Sequence, residues 1–178
     1  MEEGTWYTQL REQWKPEKVR LLLVGESAPD DRGDLASRRF FYAETLTGRD
    51  ALFRGVVEAV LGERHLDSRT ATKTAWLNQL RDRGVFLIDL VPYPVNGSQL
   101  RGERARARRE SAAGCVARAA ALEPDGVIVC HKPTFDVLKG PLVEAGLPLL
   151  HDRAIPFPLG NWRAHFVRDF RAAYARLE

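Results

Sequence analysis

Four apolar runs, each stopped by glycine, proline or a polar residue, constrain this chain more than any other feature. Val19-Arg20-Leu21-Leu22-Leu23-Val24 ends at Gly25, and Val85-Phe86-Leu87-Ile88-Asp89-Leu90-Val91 ends at Pro92. Gly126-Val127-Ile128-Val129-Cys130 runs into His131, Lys132 and Pro133, while Leu147-Pro148-Leu149-Leu150 is a shorter fourth. Apolar residues without alternation mark strands covered on both faces, the condition of a parallel sheet. The proline of the fourth run suits an edge strand or a first strand residue.

Amphipathic stretches separate the runs. Helices are expected over Thr5–Glu17, Asp50–Leu61 with Gly62 as its stop, Thr74–Arg83 before Gly84, Glu103–Leu122, Thr134–Lys139 and Trp162–Leu177. Strands alternating with helices predict an α/β fold: a three-layer sandwich whose central four-stranded, mainly parallel sheet carries helices on both faces. No repeat or low-complexity linker divides the chain, so residues 1–178 are expected to form one domain, a length able to bury a substantial core. No apolar stretch approaches the roughly 20 residues of a membrane span, and the N-terminus lacks the pattern of a secretory signal. No membrane partner and a cytoplasmic location are expected.

Two cysteines, Cys115 and Cys130, are too few and too far apart to clamp a metal; neither metal nor cofactor is expected. The Asn96-Gly97-Ser98 sequon carries little meaning in a cytosolic protein. The net charge of +3 is mild, but Arg101, Arg104, Arg106, Arg108 and Arg109 crowd one segment. That crowding suits phosphate contacts and, equally, a solvated helix face.

Ligands of open parallel sheets sit beyond the carboxyl ends of the strands, so the residues there are the candidates. After the first run come Gly25, Glu26 and Ser27, then Ala28-Pro29-Asp30-Asp31: a glycine turn with a carboxylate at the rim, which is neither a phosphate loop nor a dinucleotide fingerprint. Farther on, Arg38 and Arg39 adjoin Phe40, Phe41 and Tyr42. Aromatic faces offer a base about 1–3 kcal/mol of stacking, and the same rings also serve to anchor a loop to the core. Asp89 interrupts an apolar strand, where a carboxylate must be paired, open to solvent or functional. Ile155-Pro156-Phe157-Pro158-Leu159-Gly160-Asn161-Trp162-Arg163 is a bend stiffened by two prolines with an apolar tip at Leu159. Such a bend can wedge into a base step, or simply join an edge strand to a helix.

The order of these segments resembles the uracil-DNA glycosylase superfamily, above all its thermophile-type iron–sulfur group, from about residue 18 to 177. Gly25-Glu26-x-x-Pro29 resembles its first motif. Phe40 falls at the phenylalanine that stacks on uracil, and Asp89 falls where an asparagine reads the base. Ile155-Pro156-Phe157-Pro158-Leu159 resembles its His-Pro-Ser-Pro-Leu loop. The cysteine pair that opens the iron–sulfur group is absent, and only Cys115 sits near a ligand position, so no cluster is expected. Ile155 replaces the histidine that steadies the departing base, a loss worth about 10²–10³ in rate. An ionised Asp89 only accepts hydrogen bonds and so suits a base edge rich in donors, or it pairs with an arginine such as Arg39.

The resemblance implies hydrolysis of the N-glycosidic bond of a flipped nucleotide. Glu26 and Asp89 are then the catalytic candidates, and Glu26 alternatively holds backbone amides together. Gly25, Ser27, Phe40, Phe41, Tyr42, Phe157 and Pro158 are expected at the substrate. Leu159, Asn161, Trp162 and Arg163 are expected on DNA, with the protein a monomer. An inactive relative that binds nucleic acid and an enzyme of free nucleosides or nucleotides are the alternatives.

Overall fold

The computed structural model describes residues 4–28, 40–66, 72–95 and 101–177. Pro29, Asp30, Asp31, Arg38, Arg39 and the 96–98 sequon lie outside the described residues, as does the Arg101 side chain. Three of the four apolar runs form β1 (Leu21–Gly25), β2 (Val85–Asp89) and β3 (Gly126–Val129). They make a parallel sheet in the order β2-β1-β3, and every residue in the three strands is buried. This is an α/β fold. The fourth run supplies only one bridge, Leu149 beside Val127. Pro148 has no N–H to extend the ladder, and its carbonyl accepts from Val127 N–H at 2.9 Å.

The helices are α1 (Trp6–Gln13), α2 (Ala51–Leu61), α3 (Thr74–Asp82), α4 (Arg101–Ala121), α5 (Lys132–Glu144) and α6 (Arg163–Tyr174). The first is four residues shorter at its end than periodicity suggests, because the Trp14 N–H turns back to Arg11 O and Pro16 follows. The fifth is longer at both ends: Pro133 lies in its first turn, where no N–H is needed, and Pro141 is accommodated inside it. Gly62 ends α2 with φ +76°, the left-handed conformation that glycine adopts without strain. Among the described residues no helix is long and apolar enough to cross a membrane.

Helix α2 packs on α6, and α4 on α5. The α2–α6 contact is close because Gly55 faces the Phe166 ring; a Cβ there would lie 2.9 Å from Phe166 Cε1 and 3.1 Å from Pro158 Cβ. Phe166 is wholly buried and cannot swing aside. Gly55→Ala should therefore destabilise the protein in urea unfolding, since overpacking costs about 1–3 kcal/mol against a helix-propensity gain of about 1 kcal/mol. A variant as stable as wild type would mean the two helices separate freely.

Candidate functional site

Parallel register brings three strand ends to one edge of the sheet. Gly25 lies opposite Asp89, and Val24 opposite Val129, so Glu26, Asp89 and His131 emerge near one another. With the Phe40–Phe41 turn, the first turn of α2 and the Phe157–Leu159 bend, they line a cavity of about 440 Å³. That volume lies within the range of small-ligand sites.

Asp89 is buried at the end of β2, and its Oδ2 accepts from Arg11 Nη2 at 2.6 Å. Burial pushes its carboxyl above the usual range, while the guanidinium groups of Arg11 and Arg118 pull it back. Arg118 also donates to the carbonyls of Asp89 and Leu90 at 2.9 and 3.0 Å, holding the strand end. A Cβ on Gly25 would stand 2.8 Å from Asp89 Oδ1. Glycine is therefore needed opposite this carboxylate.

Glu26 sits among cations. Arg104 donates to Oε1, Arg108 to Oε2 at 2.7 Å, and His131 Nδ1 lies 3.7 Å away. Burial raises the Glu26 pKa, but Arg104, His131 and Arg108 outweigh it and leave the group below its ordinary 4.5. Burial also lowers His131 from 6.5 against the pull of Glu26, so this imidazole is neutral at pH 7. Its Nδ1 shares a hydrogen bond with Thr134 Oγ1 at 2.9 Å.

The aromatic wall has its own support. Phe40 meets Trp6, Tyr7 and Tyr42 edge-on, with Arg11 over its ring at 5.3 Å. Wholly buried Lys73 donates to Phe40 O at 2.8 Å, Phe41 O at 3.3 Å and Asp50 Oδ1 at 2.7 Å. Asp50 spends its carboxylate on Lys73 and the Thr47 amide and does not cap α2.

Most residues singled out in the sequence reach the cavity, and some do not. Gly25, Ser27, Phe40, Phe41, Phe157 and Leu159 line it with Glu26 and Asp89. Tyr42 turns into the core instead, because its hydroxyl accepts from Leu87 N–H at 2.8 Å. Pro158 is buried against α2 at Gly55. Asn161 and Trp162 are exposed and line no part of the cavity. Arg163 is held by Glu58 Oε2 at 2.7 Å and Arg64 O at 2.9 Å. Ile155 is a buried apolar residue with nothing to donate. The imidazole that does line the cavity is His131, which the sequence did not single out; its one signal was a polar residue directly after a buried strand.

His151 is structural. Its Nε2 accepts from Val129 N–H at 3.0 Å, its Nδ1–H donates to Arg153 O at 2.7 Å, and its ring stacks on Phe135. Burial lowers its pKa from 6.5 against the Arg153 carbonyl. With both His131 and His151 lowered, the unfolded chain binds protons that the folded one refuses. Stability is then full above about pH 6.5 and falls as acid carries the pH through the lowered folded values. Urea unfolding should show a weaker fold at pH 5 than at pH 7, and His131→Gln should flatten that slope; an unchanged slope would remove His131 from the account.

The chain's two cysteines cannot supply the four thiolates of an iron–sulfur cluster. Both are wholly buried, and burial pushes Cys115 up to about 11 and Cys130 up to about 12. Among the described residues no group of three acidic, histidine or cysteine side chains is arranged to hold a metal ion. A scan against protein-family models finds no match for this chain, and a search of curated proteins finds none either.

Proposed function

We propose that this protein takes an extrahelical nucleobase of DNA into the cavity at the strand ends and hydrolyses its N-glycosidic bond, as members of the uracil-DNA glycosylase superfamily do. One observation carries the reading. Glu26, Phe40, Asp89, Phe157 and Leu159, scattered from residue 26 to residue 159, line a single cavity. The same reading makes the α2–α6 and α4–α5 pairs the outer layers of a three-layer sandwich, with Leu149 the start of a fourth strand.

In the reaction the bond from the sugar C1′ to the base nitrogen breaks, and its electron pair leaves with the base. Water adds to C1′ and gives up a proton, which the departing base or solvent takes. Glu26 is held below its ordinary pKa by the cations around it, which favour the anionic form. Its role is to stay anionic, stabilising positive charge on the sugar and orienting the water. Phe40 and Phe157 flank the base, Asp89 reads its edge, and neutral His131 offers the leaving base the hydrogen bond that Ile155 cannot.

A second reading has a specific observation behind it. Both oxygens of Glu26 are already engaged by Arg104 and Arg108, which suits a relative that binds nucleic acid without cutting it. The test is cleavage at abasic sites in single- and double-stranded oligonucleotides carrying uracil, hypoxanthine, xanthine or a mismatch. Release of any one base supports the first reading. Salt-sensitive binding without release leaves the second, and neither binding nor release ends both.

A further inference from the structure

A second hollow of about 560 Å³ opens beside the cavity. The two share Arg49, Ala51 and Leu159, so they form one groove with Arg49 on the common wall. Their charges differ. The main cavity sets Arg49 and Arg104 against Glu26, Asp50 and Asp89. The second carries Arg49, Arg54 and Arg163 and, among the described residues, no acidic side chain in its lining.

The three guanidinium groups are held differently. Arg54 donates to Thr47 O through Nε and Nη2 and to Leu66 O through Nη1. These bonds to neutral carbonyls fix its position, and among the described residues its guanidinium has no ion pair. Arg163 is fixed by Arg64 O and by Glu58, which offsets part of its charge from outside the hollow. Arg49 is exposed, and among the described residues its guanidinium has no hydrogen bond or ion pair. Gly48 and Gly160 also line the hollow, and a Cβ on either would meet nothing within 4 Å. The backbone there is open to a close-lying group.

Two fixed guanidinium groups, one of them partly offset, with a free one between them and an aromatic-walled cavity make a place for an anion attached to a flat ring. We infer that the second hollow seats a phosphate of the nucleotide whose base occupies the main cavity, with Arg49 as its direct partner. The inference rests on the base-pocket reading for the identity of the ring. Arg54 and Arg163 are already immobilised, so binding orders only one long side chain, and Arg49 can meet phosphate oxygens with two parallel N–H groups. The phosphate belongs either to a free nucleotide or to a diester of a strand.

The test is calorimetric titration of the whole protein with deoxyguanosine and deoxyuridine, their 3′- and 5′-monophosphates, ribose 5-phosphate and a single-stranded 12-mer. At least one monophosphate should bind about tenfold or more tightly than its nucleoside, the range of a charge-assisted contact. In Arg49→Gln the ratio of the two affinities should fall toward one. The 12-mer should lose about one unit of its log–log salt slope in the same variant. A gain confined to the monophosphates points to a free nucleotide, and one confined to the 12-mer points to a strand; both support the seat. A phosphate that adds nothing in either form, or an advantage that survives Arg49→Gln, overturns it. If ribose 5-phosphate binds through Arg49 while no base adds affinity, the base-pocket reading falls and the phosphate seat stands.

Discussion

Lys73→Met should weaken the fold by about 3–5 kcal/mol, the usual consequence of removing one member of a buried ion pair, and lower the unfolding midpoint by on the order of 10 °C in a chain of this size. Lys73 is 0% exposed in its side chain and Asp50 5%, with 2.7 Å between their charged atoms. Burial lowers the Lys73 pKa, and Asp50 opposes that shift. Methionine fills the space but leaves the Asp50 carboxylate out of water with, among the described residues, the Thr47 amide as its remaining side-chain hydrogen-bond partner. It also frees the carbonyls of Phe40 and Phe41, so ligand affinity should fall with stability. The double variant Lys73→Met/Asp50→Leu should regain much of the loss, because no lone charge is left behind. A single variant that melts within a degree or two of wild type would show that the turn is held by packing alone.

Glu26→Gln should lower base release by about 10²–10³, the scale of losing one group that stabilises transition-state charge, while oligonucleotide binding changes little. Glutamine keeps the shape of the side chain and removes its charge. The pH behaviour carries a sign. Because the cations around Glu26 hold its pKa below 4.5, wild-type activity attributable to this charge should be level through neutral pH and disappear only in stronger acid. A limb at milder acidity, still below 6.5, would assign the titrating group to His131 instead. Full activity in the glutamine variant would return Glu26 to a purely structural place.

The parts of this protein that could be read in the sequence are those set by local rules. β1, β2 and β3 were visible because strands buried on both faces leave uninterrupted apolar runs, and α2 because Gly62 ends a clear helical face. The fourth run is shorter and carries Pro148, and it contributes a single bridge, since strand length depends on which backbone groups find partners. Asp89 stood out in its apolar strand as a carboxylate that had to be paired, open to solvent or functional. Its partner, Arg11, lies 78 residues away on α1, a contact that only the folded chain creates. Arg104 and Arg108 are spaced one helical turn apart, which places them on one face. That spacing was a usable signal, and its target Glu26 was not visible. Neighbouring Arg106 turns to Glu110 instead, so one arginine cluster divides between the site and the surface.

The burial of both sulfurs has a practical side. Neither Cys115 nor Cys130 is open at the surface, and both stay protonated at neutral pH, where only a thiolate attacks an alkylating reagent. The protein is thus blank to maleimide dyes. A cysteine introduced at Leu159, 61% exposed on the cavity's edge, would take a fluorophore alone and report by its emission when that pocket fills.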